Sequence, residues 1–229
     1  MRIISWNCNL TLQRKLAALI ALNADVAIVQ ECERDLEAPE GYTYHWCGVN
    51  PRKGLGVLAR DVAAYVAPEA SDQWAFFLPV ALPAFNLRLL AVWAFNHRAT
   101  KFLPPRTGMA LPVINSLSSW LREGRSVVAG DFNNNAAWDT PRGKNNFSEI
   151  HDRLASLGLG SSYHSARGEG IRMESSMTYF FQKNATRGFH IDYCFVHRSL
   201  EIESVTLPAF QAWQGMSDHV PLIVTLIDA

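Results

Sequence analysis

The sequence predicts a single α/β (α+β) domain over residues 1–229, built on mixed, mostly antiparallel β-sheets. Three observations carry this. Short apolar runs bounded by turn residues recur along the whole chain, which is the signature of many strands. Only about three stretches hold a convincing helical repeat, too few for strict strand–helix alternation and a purely parallel sheet. Finally, no linker, short-period repeat or low-complexity tract divides the chain. Its 229 residues, 48% apolar and 18% charged, suit one ordinary globular unit with a sizeable core.

The elements follow in order. Residues 2–6 form a short buried strand ending in polar Asn7. Leu12, Leu16, Leu19 and Ile20 then recur at helical spacing, with Asn9 or Thr11 available as N-cap. Residues 25–30 are a second buried strand, ending at Glu31. Strands are expected at 42–46, 54–60, 76–81 and 86–94. A loop with Pro104 and Pro105 leads into a helix over 113–121, stopped by Gly124. Residues 126–129 form a buried strand running into Gly130-Asp131. An amphipathic helix over 147–157 ends at Gly158, and 160–175, rich in glycine and serine, reads as a long surface loop. The last strands are expected at 176–181, 190–196, 201–207 and 220–227.

Composition narrows the function. The formal net charge is zero, so a global basic excess of the kind that drives tight nonspecific duplex binding is absent. The start lacks a basic segment followed by an apolar one, and no apolar run approaches the length of a bilayer span, so no membrane role is expected. Cys8, Cys32, Cys47 and Cys194 make no CxxC pair. They read as reduced, buried thiols of a cytoplasmic protein rather than a zinc site.

The informative residues stand at strand ends. Asn7, Glu31 and Asp131 each close an apolar run, and Asp218-His219 opens the last one. In an antiparallel pair the end of one strand and the start of its neighbour share a sheet edge, so these groups can converge on one rim. Asp192 lies near the start of its own strand and can join them. Turn chemistry explains an Asp or Asn taken singly, but it explains Glu31 poorly and six such groups together less well.

Ser5-Trp6-Asn7, Val29-Gln30-Glu31, Gly130-Asp131-Phe132-Asn133, Ile191-Asp192-Tyr193 and Ser217-Asp218-His219-Val220-Pro221-Leu222 resemble the successive motifs of the endonuclease/exonuclease/phosphatase superfamily. They stand in that family's order and cover nearly the whole chain. The resemblance implies a four-layer sandwich, with two β-sheets face to face and helices on the outer faces. It also implies a divalent-metal-dependent phosphoesterase acting by in-line attack of water. An endonuclease or exonuclease is the first expectation. A phosphomonoesterase or lipid-headgroup phosphatase on the same scaffold is the alternative, and a noncatalytic binding module the third. The substrate is expected to be nucleic acid or another phosphoester, with the chain acting as a monomer.

Phosphodiester hydrolysis needs a positioned water, neutralised phosphoryl oxygens and help for the leaving oxygen. Mg²⁺ or Mn²⁺ would supply charge through oxygen ligands. Glu31, with the amide oxygen of Asn7 and the carboxylate of Asp218, is the expected metal set. By resemblance, Asp131 orients or deprotonates water, Asn133 contacts phosphate or water, His219 donates to a phosphoryl oxygen, and Asp192 holds its imidazole. Where many family members carry a histidine, this chain has Trp93. The run Trp93-Ala94-Phe95-Asn96 resembles the Tyr-x-x-Asn form of apurinic endonucleases, making Asn96 a phosphate ligand and His97 a substitute for the missing histidine. Trp93, Thr178 and Arg142 are further candidate substrate contacts. Arg142, Lys144, Arg167, Arg172, Lys183 and Arg187 are candidates for a local basic rim, Trp46, Trp74, Trp138 and Trp213 are candidates for base stacking, and His190 is expected to be packed.

Overall fold

The computed structural model describes residues 1–71, 73–95, 107–143 and 145–227. The chain opens with β1 (Arg2–Asn7), crosses through α1 (Leu16–Ile20), and returns as β2 (Val26–Cys32). A hairpin of β3 (Tyr42–Asn50) and β4 (Lys53–Arg60) follows, then β5 (Tyr65–Val66), β6 (Phe77–Leu82) and β7 (Leu87–Trp93). Next, α2 (Ala110–Ser116) and α3 (Ser118–Arg122) lead to β8 (Arg125–Asp131). After α4 (Phe147–Ser156), β9 (Leu159–Ser161) and α5 (Ser162–Arg167) come the two-residue strands β10 (Tyr179–Phe180) and β11 (Gly188–Phe189). The chain closes with β12 (Asp192–His197), β13 (Glu201–Thr206), α6 (Phe210–Trp213) and β14 (Leu222–Ile227).

Two six-stranded sheets result, ordered β13-β14-β1-β2-β4-β3 and β5-β6-β7-β8-β12-β9. Each holds one parallel pair at its centre, β1 with β2 and β7 with β8, flanked by antiparallel neighbours. A parallel pair needs a crossover, and α1 and α2–α3 are those crossovers. Alternation then sorts the side chains. Ile3 and Ile28 face the second sheet, while Ile4, Trp6 and Val29 face Leu16, Leu19 and Trp213 on the outer side. On the far side of the second sheet, Phe147 of α4 stacks on Tyr193 at 4.3 Å and also meets Phe195. Helix, sheet, sheet and helix make the four-layer sandwich. A fully buried Leu, Ile or Phe contributes about 1.5–3 kcal/mol, so these interleaved faces dominate stability.

Several expected elements differ. Residues 162–167 are helical, not loop, because buried Tyr163 and His164 anchor them against β12 and tertiary packing overrides the polar composition. Gly168 ends that helix at φ +66°. The expected strand at 176–181 shrinks to Tyr179–Phe180, and the expected helix over 113–121 breaks at Leu117. Neither Asn9 nor Thr11 caps a helix through its side chain; both are left-handed. Glu33 takes that role instead, its carboxylate accepting the N–H groups of Leu12 and Gln13 at 2.8 and 2.7 Å. Among the described residues no helix is long and apolar enough to cross a membrane.

Candidate active site

The two parallel pairs end on one rim. Register pairs Asn7 with Gln30 and Trp93 with Asp131, and sets Asp192 opposite Asp131. The sharp approach into Asp131 depends on Gly130, at φ +152°, where an added Cβ would lie 1.8 Å from the Val92 carbonyl oxygen. No other residue fits between β7 and β8 there.

Glu31 reaches this rim through a backbone irregularity. Register shifts between Gln30 and Cys32 against β4, and Glu31 has φ +61°. Val29 and Cys32 both belong to the outer core, while Gln30 turns inward to Ser5 and the Val92 carbonyl. Glu31 is therefore the extra residue of a β-bulge, and the bulge re-aims its side chain along the rim. Its Oε2 lies 3.1 Å from Lys53 Nζ, and its Oε1 is 3.5 Å from Asn7 Nδ2. Lys53 also stands 5.5 Å over the Trp93 ring.

Asp131, Asp192 and His219 are all buried, and their candidate ligand atoms lie within 4.8 Å of one another. His219 Nδ1 is 2.9 Å from Asp192 Oδ2, which leaves Nε2 as the nitrogen directed elsewhere. Burial alone would lower the His219 pKa; the Asp192 carboxylate outweighs it and raises it to about 9. Asp131 is pushed up to about 7, first by burial and then by Asp192. Asn7 Nδ2 and Asn133 Nδ2 donate to Asp131 Oδ2 at 3.1 and 3.0 Å, and the Asn133 N–H donates to Oδ1 at 2.8 Å. Asp192 is held by backbone: its N–H and that of Ile191 both donate to the Thr178 hydroxyl at 3.0 Å. Trp6 Nε1 fixes the His219 carbonyl at 3.2 Å, and the Tyr179 ring covers its imidazole at 4.7 Å.

Asp218 is half-buried and accepts from Asn9 Nδ2 at 3.0 Å. Asn9 begins three consecutive left-handed residues, Asn9, Leu10 and Thr11. Lys15 Nζ donates to the carbonyls of Cys8, Asn9 and Leu10, which holds that turn closed. The Asn9 N–H in turn donates to Asn7 Oδ1 at 3.0 Å.

The donor set fits a hard divalent cation. Glu31, Asp131, Asp192 and Asp218 bring four carboxyl groups to the rim, and no cysteine belongs to the cluster. One buried oxygen, Asp192 Oδ1, has no hydrogen-bond partner. Lys53 beside Glu31 already answers part of the demand for positive charge.

The structure thus gathers Asn7, Glu31, Asp131, Asn133, Asp192, Asp218 and His219. Some individual expectations need correcting. The Asn7 oxygen accepts from the Asn9 N–H and its amide nitrogen faces the carboxylates, so Asn7 bridges Glu31 and Asp131. The Asn133 amide nitrogen donates to Asp131 and to the Ala94 carbonyl. Thr178 is wholly buried and supports β12, so it is no substrate contact. Trp93 is buried against Phe76 and Phe95, which removes its ring from the surface. Trp213 is likewise core, edge-on to Trp6 at 5.0 Å. Arg142 lies on an exposed turn with no hydrogen bond to the cluster among the described residues, and Arg172 faces Asp139 at 3.8 Å. His190 is packed: its Nδ1 is 2.8 Å from the Ser176 carbonyl and its ring lies 4.2 Å from that of Tyr163. Asn96, His97 and Lys144 fall outside the described residues. Lys53, Asn9 and Tyr179 were missed, because only strand pairing and the Asn9 turn bring them to the rim.

This geometry is that of a phosphoesterase. Residues 4–219 match the sequence profile of the endonuclease/exonuclease/phosphatase family, and the chain belongs to that family. It is a metal-dependent phosphoesterase, a hydrolytic enzyme. No curated protein matches the chain significantly in sequence. Among solved structures it is similar to a 3'-5' exonuclease (NExo) from Neisseria meningitidis, with TM-score 0.73, 20% identity and 99% of each chain covered. A 3' phosphatase form of NExo from Neisseria, bound to product DNA hairpin, aligns with TM-score 0.72 and 19% identity, again over 99% of each chain. An AP endonuclease from Archaeoglobus fulgidus aligns with TM-score 0.67 and 14% identity over 99% of both chains.

Proposed function

We propose that the chain is a Mg²⁺- or Mn²⁺-dependent nuclease that hydrolyses phosphodiester bonds by in-line attack of water. The observation that carries this reading is the buried cluster of Asp131 with the Asp192–His219 couple, next to the more open carboxylates Glu31 and Asp218, which are tied in through Asn7 and Asn9. Asp131, raised to about 7, is poised to take a proton from the attacking water. His219, raised to about 9 and steered by Asp192, carries a proton at neutral pH and donates from Nε2 to a phosphoryl oxygen. Asn7 and Asn133 hold Asp131 in place. Glu31 and Asp218 would hold the cation, which supplies charge against the developing negative phosphoryl oxygens. The DNA-bound neighbour supports a nucleic-acid substrate, and its description as a 3' phosphatase favours phosphomonoester cleavage as a second activity of the same site. Four free cysteines support a cytoplasmic setting.

The test is hydrolysis of bis-p-nitrophenyl phosphate, p-nitrophenyl phosphate, nicked DNA and short RNA with each metal and with EDTA. Cleavage with Mg²⁺ or Mn²⁺ and none in EDTA is the expected result. Full activity in chelator would overturn the metal assignment. In metal titrations Glu31→Ala should weaken binding more than Asn133→Ala, since a lost carboxylate costs a dication site more than a lost amide.

A further inference from the structure

We propose that a groove beside the active site is a subsite for the nucleobase of a nucleotide flanking the scissile phosphate. This rests on the nuclease reading above and names the substrate feature it recognises. The groove encloses about 450 Å³, within the range of small-molecule pockets. One wall is the end of β3, with Trp46 and Val49; the other is the approach to β6, with Ala70, Trp74 and Phe77.

Both walls run to the catalytic rim. Cys47 pairs with Leu55, whose neighbour Gly54 pairs with Cys32, the residue after Glu31. Phe77 pairs with Val92, the residue before Trp93. From β2 to β3 is two strand spacings, about 10 Å. Lys53 stands where groove and site meet, 3.1 Å from Glu31 Oε2 and 5.5 Å over the Trp93 ring. A phosphate backbone leaving the cation end of the site would pass this ammonium group before its base reached the groove.

The lining suits a base. On the outer face of β3 the Trp46 indole braces that wall from behind, against the backbone of two glycines: a Cβ on Gly54 would come within 2.2 Å of it, and one on Gly48 within 2.7 Å. Its N–H is tied to the Cys32 carbonyl at 3.2 Å, so the ring is held in a fixed plane. Trp74, packed on the inter-sheet side, supplies the indole that faces the groove. Val49 and Val66 are 58% and 42% exposed at the groove, so this apolar surface is presented to solvent rather than sealed in the core. Bases stack on aromatic rings whatever their sequence, because every base has two π faces. Ser71 and the β3 backbone give the lining polar points that hydrocarbon would not use.

The experiment is tryptophan fluorescence titration in EDTA with dAMP, deoxyribose 5-phosphate and inorganic phosphate, together with steady-state cleavage. The variants are Trp74→Ala, which removes one wall, and Ala70→Trp, which fills the groove from an exposed position without deleting core. The native protein should bind dAMP more tightly than the two base-free phosphates, and both variants should erase that preference. Loss of one stacked base should raise KM for a single-stranded oligonucleotide by about tenfold or more. Hydrolysis of bis-p-nitrophenyl phosphate should be unchanged. Equal binding of dAMP and inorganic phosphate by the native protein would overturn the subsite, as would variants that lose the p-nitrophenyl ester in equal proportion. Quenching by anionic phosphatidylserine vesicles but not by dAMP would assign the groove to lipid instead. Absence of any nucleic-acid cleavage by native protein that still prefers dAMP would overturn the nuclease reading while the base subsite stood.

Discussion

The two sheets are built alike and finish differently. Each carries a central parallel pair whose strands end on the shared rim. The first ends in Asn7 and Glu31, and there the charges stay partly in water: the Glu31 side chain is 18% exposed and its partner Lys53 42%. The second ends in Trp93 and Asp131, and with Asp192 and His219 it is closed off from solvent. Solvent access separates the tasks. An open carboxylate can exchange ligands and accept a cation from solution. A buried cluster of two acids and one imidazole shifts its proton affinities strongly, because each charge is felt at low screening. His219 belongs to the strand-start that enters the first sheet, yet bonds to Asp192 of the second, so the site joins the two layers.

The largest effect that can break this contrast lies in the closed half. His219→Ala should lower kcat/KM by about 10²–10³, the usual worth of one transition-state donor. Asp192→Asn should lower it by less, and the double variant should lose little beyond the worse single, as residues working as one unit do. Fully multiplicative losses, with folding verified by circular dichroism, would show that the buried pair does not act together.

A smaller effect sharpens the same contrast through pH. In the proposed mechanism Asp131 must be unprotonated to act as base and His219 protonated to donate. With values of about 7 and about 9, kcat/KM should rise through about pH 7 and fall as pH approaches 9. These limbs belong to the coupled cluster rather than to single residues. A profile flat from pH 6 to 10 would remove the closed half from the chemistry.

The smallest effect is on stability and lies away from the rim. Burial alone would raise Glu174, but its hydrogen bond with His164, at 3.1 Å, and a backbone N–H outweigh it and hold the carboxyl at about 2. A depressed carboxyl contributes stability that is full above its unfolded value, near 4.3, and is lost as pH falls toward the folded value. Glu174→Gln should therefore lower Tm at pH 6 and flatten its decline between about pH 4.5 and 2. Activity on small esters should not change. An unaltered acid limb would place the acid sensitivity elsewhere.

Much of this is legible in the sequence. The central strands are apolar runs of ordinary strand length, and Asp131, Asp192, Asp218 and His219 stand at or near their ends, where turn chemistry explains any one of them better than it explains the set. What escaped depends on backbone shape and on distant pairing. Nothing local marks Glu31 as a bulge residue. Lys53 reaches Glu31 only because β4 pairs with β2. Thr178 looked like a free hydroxyl, yet the start of β12 folds back onto it. The serine-rich stretch at 162–167 became helical because Tyr163 is buried, and burial overrides local propensity.

The bulge at Glu31 sets two kinds of fitness against each other. A glutamate at φ +61° adopts a conformation that glycine takes freely, and holding a non-glycine residue there costs about 1–3 kcal/mol. Lys53 and Asn7 keep it in place. The residue that would most relax this backbone is thus the one that abolishes the carboxylate. Selection for thermal robustness alone would be drawn to Glu31→Gly, and would trade away the carboxylate proposed to hold the cation. The strain in β2 is a record that this fold has been held to its work rather than to its most comfortable shape.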